Sequence, residues 1–200
     1  MGDLFLVRHG ETAWSRSGRH TGSTDVPLTE HGREEARRLA PLIRSLRIGA
    51  AFVSPLQRAR ETARLIGLPD ARVDADLREW DYGGYEGVTT PEIQRDRPGW
   101  FLFTDGVAPG PPDHPGETPE QVGERADRML ATADAALAGA GEGDVVLIAH
   151  GHFLRVLAAR RLGLPPRHGA LFQLATGSLG RLGTEHGRPV VSGWNIRPPE

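Results

Sequence analysis

Three short apolar runs, "LFLVR" at Leu4–Arg8, "AAFV" at Ala50–Val53 and "DVVLIA" at Asp144–Ala149, each open into a turn and then a helical pattern. Apolar runs of this length without polar alternation read as strands covered on both faces. The helices between them carry start signals. Thr29 caps "TEHGREEARRLAPLIRSL", whose apolar residues Ala36, Leu39, Ala40, Ile43 and Leu46 share one face, with a kink expected at Pro41. After Val53, Ser54 reads as a cap, Pro55 as the first helical residue and Gln57 as the partner of a capping box. Thr118, Pro119 and Gln121 repeat that grammar and start a helix running to about Leu137, and "GHFLRVLAARRLG" follows the third strand. From Ala170 to Trp194 two or three short strands are expected. Strand and helix in alternation predict an α/β domain, a mostly parallel central sheet with helices on both faces.

A chain of 200 residues suits one domain, taken as residues 1–200. Composition then excludes chemistries. There is no cysteine, which removes disulfides, thiolate metal sites and thiol nucleophiles. All 24 basic residues are arginine, so Schiff bases, a pyridoxal phosphate anchor and a P-loop lysine are also absent. Anion recognition must rest on arginine forks, histidine and backbone amides. A net charge of −2 with no basic block gives no footprint for nucleic acid. No apolar run approaches the roughly 20 residues of a membrane span, and residues 1–8 lack a secretory pattern, so a cytoplasmic location is expected and no membrane partner.

In sheets of this kind ligands bind at the carboxyl ends of the strands. That rule gathers Arg8 and His9 after the first run, Arg58 in the first turn after the second, and His150 with Gly151 after the third. Two arginines and two histidines beside a helix amino terminus suit a tetrahedral phosphate better than a planar carboxylate.

The stretches "LVRHGET", "SPLQRARETA", "LREWDYGGYEG" and "IAHGH" stand in the order and spacing of the histidine phosphatase superfamily, and the chain resembles its phosphoglycerate mutase-like branch. The resemblance covers Leu4 to about Leu182 and implies a three-layer α/β/α sandwich. By position it makes His9 the phosphorylated nucleophile, Arg8, Arg58 and, if protonated, His150 the phosphate-binding cations, and Glu79 the proton donor. Asp81 and Glu86 stand close enough to remain rival acids. Ser15 holds a place usually asparagine in the mutases, and Thr21 and Gly22 fall in the loop at the substrate entrance. Tyr82, Gly151 and His152 complete the expected substrate contacts, with His20 a further candidate. His31, His114, His168 and His186 are expected in solvent.

Within the superfamily "WSRSGRHTGSTDVPLT" and "REWDYGGYEG" are more similar to broad-specificity acid phosphatases and to sedoheptulose and fructose bisphosphatases than to glycolytic mutases. The segment at about 83–117, with its proline-rich loop "GVAPGPPDHPG", is expected to form a lid-like insertion. The implied activity is hydrolysis of small phosphate esters, sugar phosphates or bisphosphates among them, through phosphohistidine, with no cofactor and no metal. A cofactor-dependent phosphoglycerate mutase is the alternative, and a non-catalytic binding module a more distant one. Oligomeric state is left open, a homodimer being one option.

Overall fold

The computed structural model describes residues 2–198. Strand β1 (Leu4–Arg8) leads through the single turn α1 (Ala13–Ser17) to α2 (Glu30–Arg44), β2 (Ile48–Val53), α3 (Gln57–Leu65) and the short edge strand β3 (Arg72–Val73). Two short helices, α4 (Thr90–Asp96) and α5 (Leu102–Asp105), precede the long α6 (Pro119–Gly139). Then come β4 (Asp144–Ala149), α7 (Gly151–Arg161) and a hairpin of β5 (Leu179–Glu185) and β6 (Arg188–Ile196). The six strands lie in the order β3-β2-β4-β1-β5-β6. The four from β3 to β1 run parallel, and the closing hairpin adds β5 antiparallel to β1 and β6 antiparallel to β5.

The unbroken apolarity of β1 and β4 has a direct cause, because successive side chains point to opposite faces and both faces are covered. Leu4 and Leu6 pack with Val145 and Leu147 against α6 and α7, while Phe5 and Val7 pack with Val146 and Ile148 against α2 and α3. The central strands are therefore pinned from both sides, and their carboxyl ends hold a fixed platform for the residues that follow.

Local signals and tertiary demands part company at α3. The Ser-Pro-x-Gln grammar at Ser54 predicts a capping box, yet the helix begins at Gln57 with Leu56 as its uncapped N-cap. Ser54 is fully buried with its hydroxyl 2.8 Å from His150 Nε2, and the Gln57 side chain is turned onto the Asp25 carbonyl. The capping boxes at Thr118 and Thr89 do form. Helix α2 continues without interruption through Pro41. The 83–117 segment contains more ordered structure than its glycines and prolines imply, because Ile93, Trp100, Leu102 and Phe103 are buried in the same core cluster as α6 and α7.

Candidate active site

A pocket of about 190 Å³ opens over the carboxyl ends of β1 and β4. His9 leaves β1 on its floor, 4% exposed, with Nδ1 2.7 Å from the Gly10 carbonyl oxygen. A carbonyl only accepts, so Nδ1 carries the proton and Nε2 keeps its lone pair. Burial first, and then the positive charge of Arg58 and Arg8, hold the His9 pKa well below the ordinary imidazole value. The Gly10 turn is tight because it abuts the start of α2: a Cβ on Gly10 would lie 2.1 Å from the Gly32 carbonyl oxygen.

Arg8 lies against the amino terminus of α7. It donates from Nη1 to the Leu174 carbonyl at 2.5 Å, while its buried Nε has no partner. Gly151 permits this approach, since a Cβ there would sit 3.0 Å from the guanidinium carbon. Arg58 and His150 stand behind this front, fully buried. Arg58 Nε donates to His150 Nδ1 at 3.2 Å, Nη1 to the Thr24 carbonyl, and Nη2 to the Thr21 and Gly22 carbonyls. Four of its five N–H groups are thus engaged, and it also fixes the tautomer of His150, whose Nε2 faces Ser54. Burial, with Arg58, His9 and Arg8 nearby, pushes the His150 pKa well below its usual range. The condition under which His150 would add a third cation is not met in this arrangement, where Nδ1 accepts from Arg58 and the ring is neutral. Its ring centroid lies 5.1 Å from that of His9.

Glu79 lines the pocket and at the same time caps α7. Its Oε1 accepts the Phe153 and Trp80 amides at 2.8 Å each, and Oε2 accepts the His152 amide at 3.1 Å. The rival carboxylates are committed elsewhere. Asp81 accepts the Gly83 and Gly116 amides, and Glu86 accepts those of Gly22 and Thr24. Neither lines the pocket.

Among the expected substrate contacts, Ser15, Thr21, Tyr82, Gly151 and His152 line the pocket. Gly22 does not; its amide is held by Glu86 and its carbonyl by Arg58, so it serves the loop rather than the cavity. The Ser15 hydroxyl is occupied in a capping box with Thr12. Tyr82 and His152 are paired at 2.6 Å. His152 is held neutral by burial and by Arg155, while burial raises the phenol of Tyr82 well above its ordinary range. His20 joins them, its Nδ1 donating to the Val88 carbonyl at 2.8 Å. Of the histidines expected in solvent, His168 is only half exposed and its Nδ1 is buried without a partner.

Four pocket residues were missed from the sequence: Gly18, Arg19, Thr90 and Arg155. A usable signal existed for Arg155, which lies four residues beyond Gly151 and therefore on the same helix face. Ser54 was read as a cap, and nothing local distinguishes a cap serine from one that meets a histidine 96 positions away.

The family model for the histidine phosphatase superfamily (branch 1) matches residues 4–197, and the chain belongs to that family. An acid phosphatase of Mycobacterium tuberculosis is 43% identical over 186 residues, spanning 92% of this chain and 87% of the relative. Sedoheptulose 1,7-bisphosphatase of Saccharomyces cerevisiae is 38% identical over 189 residues, 80% of this chain and 67% of the relative. A probable phosphoglycerate mutase of Klebsiella pneumoniae is 32% identical over 196 residues, 96% of this chain and 90% of the relative. The solved structure of open reading frame Rv3214 from Mycobacterium tuberculosis superposes with a TM-score of 0.90 at 40% identity, covering 99% of each chain.

Proposed function

We propose that this phosphatase hydrolyses small phosphorylated metabolites, sugar phosphates or bisphosphates among them, by way of a phosphohistidine at His9. The observation that carries the reading is a buried, neutral His9 with its tautomer fixed and Nε2 free, beside an arginine whose buried Nε is unpaired. A phosphate monoester repels nucleophiles, and the transferred phosphoryl group spreads charge over three equatorial oxygens, so a neutral attacking nitrogen among fixed cations meets both demands.

In the first step His9 Nε2 attacks phosphorus, the P–O bond to the alcohol breaks, and the leaving oxygen takes a proton from the Glu79 carboxyl. In the second, the Glu79 carboxylate takes a proton from water, water oxygen attacks phosphorus, and the N–P bond returns its electrons to His9. Arg8 supplies the free N–H donor and its charge, Arg58 mainly charge. His150, whose Nδ1 accepts from Arg58 and whose pKa is lowered chiefly by burial, holds the Arg58 guanidinium in place as a neutral ring.

The mutase alternative has weaker support, since the relatives of higher identity are named as phosphatases. The test is para-nitrophenyl phosphate turnover with and without EDTA, beside an enolase-coupled assay on 3-phosphoglycerate. We expect EDTA-insensitive phosphate release exceeding any isomerisation. Absence of turnover, or loss of it in EDTA, would contradict the reading, and isomerisation outrunning hydrolysis would replace it with a mutase.

A further inference from the structure

The proposed chemistry uses the inner half of the pocket and leaves the outer half unexplained. There Arg155, on the second turn of α7, lines the same cavity as His9. Its guanidinium rests 4.5 Å above the Phe103 ring, with Nε donating to the Gly169 carbonyl and Nη2 to the Ala170 carbonyl. These contacts fix the plane of the group. They leave Nη1 without an acceptor, and Arg155 has no ion pair among the described residues. Burial first, and then the positive charge of Arg8, disfavour its charged form, against a partial offset from Glu79. A half-buried arginine held near another arginine, with no ion pair among the described residues and Glu79 the one carboxylate of the pocket wall, is costly for the empty fold. Arg19 adds a third guanidinium to the pocket wall, against the single carboxylate of Glu79.

Two further residues of the same wall, His20 and His152, are neutral. Burial lowers the pKa values of both His20 and His152. Since His20 Nδ1 donates to the Val88 carbonyl, its Nε2 is an acceptor, while His152 Nδ1 is paired with the Tyr82 hydroxyl at 2.6 Å. The His20 and His152 rings are nearly parallel, 6.2 Å apart between centroids. Neutral rings of this kind can meet hydroxyl groups, and they share the cavity with Arg8 and Arg155.

We propose that Arg155 is a specificity-determining residue that receives a second anionic group, so that the substrate class is a phosphorylated polyol carrying a further phosphate or carboxylate. This rests on the phosphatase reading above and narrows it. The phosphoryl group to be transferred sits at His9, the hydroxylated carbon chain passes His20 and His152, and the second anion takes the free Nη1 of Arg155.

The experiment compares kcat/KM for fructose 1,6-bisphosphate with that for fructose 1-phosphate and fructose 6-phosphate, in wild type, Arg155→Gln and Arg155→Lys. A charge-assisted hydrogen bond to the second anion predicts a wild-type preference of about 10- to 100-fold for the bisphosphate. Arg155→Gln should collapse that ratio toward one, and Arg155→Lys should retain part of it. A wild-type ratio near one overturns the proposal whatever the variants do, as does a ratio preserved in Arg155→Gln. Should Arg155→Gln fail to fold, the wild-type ratio and its loss with rising ionic strength decide alone, an unscreened ratio counting against the proposal. Failure of the underlying reading looks different: no ester, para-nitrophenyl phosphate included, would then be hydrolysed.

Discussion

His9 is a weak base among cations, and that has a pH signature. Its imidazole, like those of His150 and His152, has a pKa held well below 6.5, chiefly by burial. For activity, the nucleophile stays neutral into the acid range, so the acid limb of kcat/KM should lie well below pH 6.5; a limb at or above that value would show that His9 is not held as described. For stability the sign follows from proton counting. Below about pH 6.5 the unfolded chain binds protons on these histidines that the folded chain does not, so stability is full above the unfolded pKa and falls as pH drops through it. Each such proton costs about 1.4 kcal/mol per pH unit in that window. Thermal unfolding should therefore show Tm level from pH 8 to 7 and falling steeply from pH 6.5 to 5. A Tm independent of pH over that lower range would contradict the account.

At the scale of elements, α7 does three things at once. Its Gly151 lets Arg8 lie against its first turn, its second turn offers Arg155, and its His152 and Phe153 amides hold the Glu79 carboxylate. Glu79 is thus both helix cap and proposed acid. The segment that carries it is clamped from α6, where Arg125 pairs bidentately with Glu117 and donates to the carbonyls of Asp76, Arg78 and Glu79. Replacing Glu79 with Gln keeps one oxygen for the paired amides but turns an NH₂ toward the other. Glu79→Gln should therefore cost about 1 kcal/mol of stability, read from denaturant unfolding, through the lost cap contact. It should also slow esters of poor leaving groups far more than para-nitrophenyl phosphate, whose phenolate departs unprotonated. An equal loss on both would leave Glu79 as a cap and remove it as the acid.

At the scale of the whole molecule, what was legible in the sequence and what was hidden divide along a physical line. The apolar runs showed β1, β2 and β4 because strands covered on both faces have no polar alternation, and the carboxyl-end rule then placed Arg8, His9, Arg58 and His150 together. What stayed hidden depended on tertiary partners. Ser54 looked like a cap because its partner lies on another strand, and Arg155 looked like one more arginine of a helix whose inward face was unknown. In the 83–117 segment glycine and proline masked the buried Trp100 and Phe103. With these residues packed in the core and exposed Gly18 and Arg19 at the pocket wall, water has a route to Glu79.

The central claim, that a phosphoryl group passes from substrate to His9 and then to water, is tested most directly by trapping that intermediate. Protein quenched in alkali after a brief pulse of ³²P-labelled phosphoester should carry label that is stable in base, labile in acid and absent from His9→Ala. A chase with unlabelled substrate should release it as inorganic phosphate. Acid-stable label, label retained in His9→Ala, or label delivered to a monophosphate acceptor in preference to water would contradict the account.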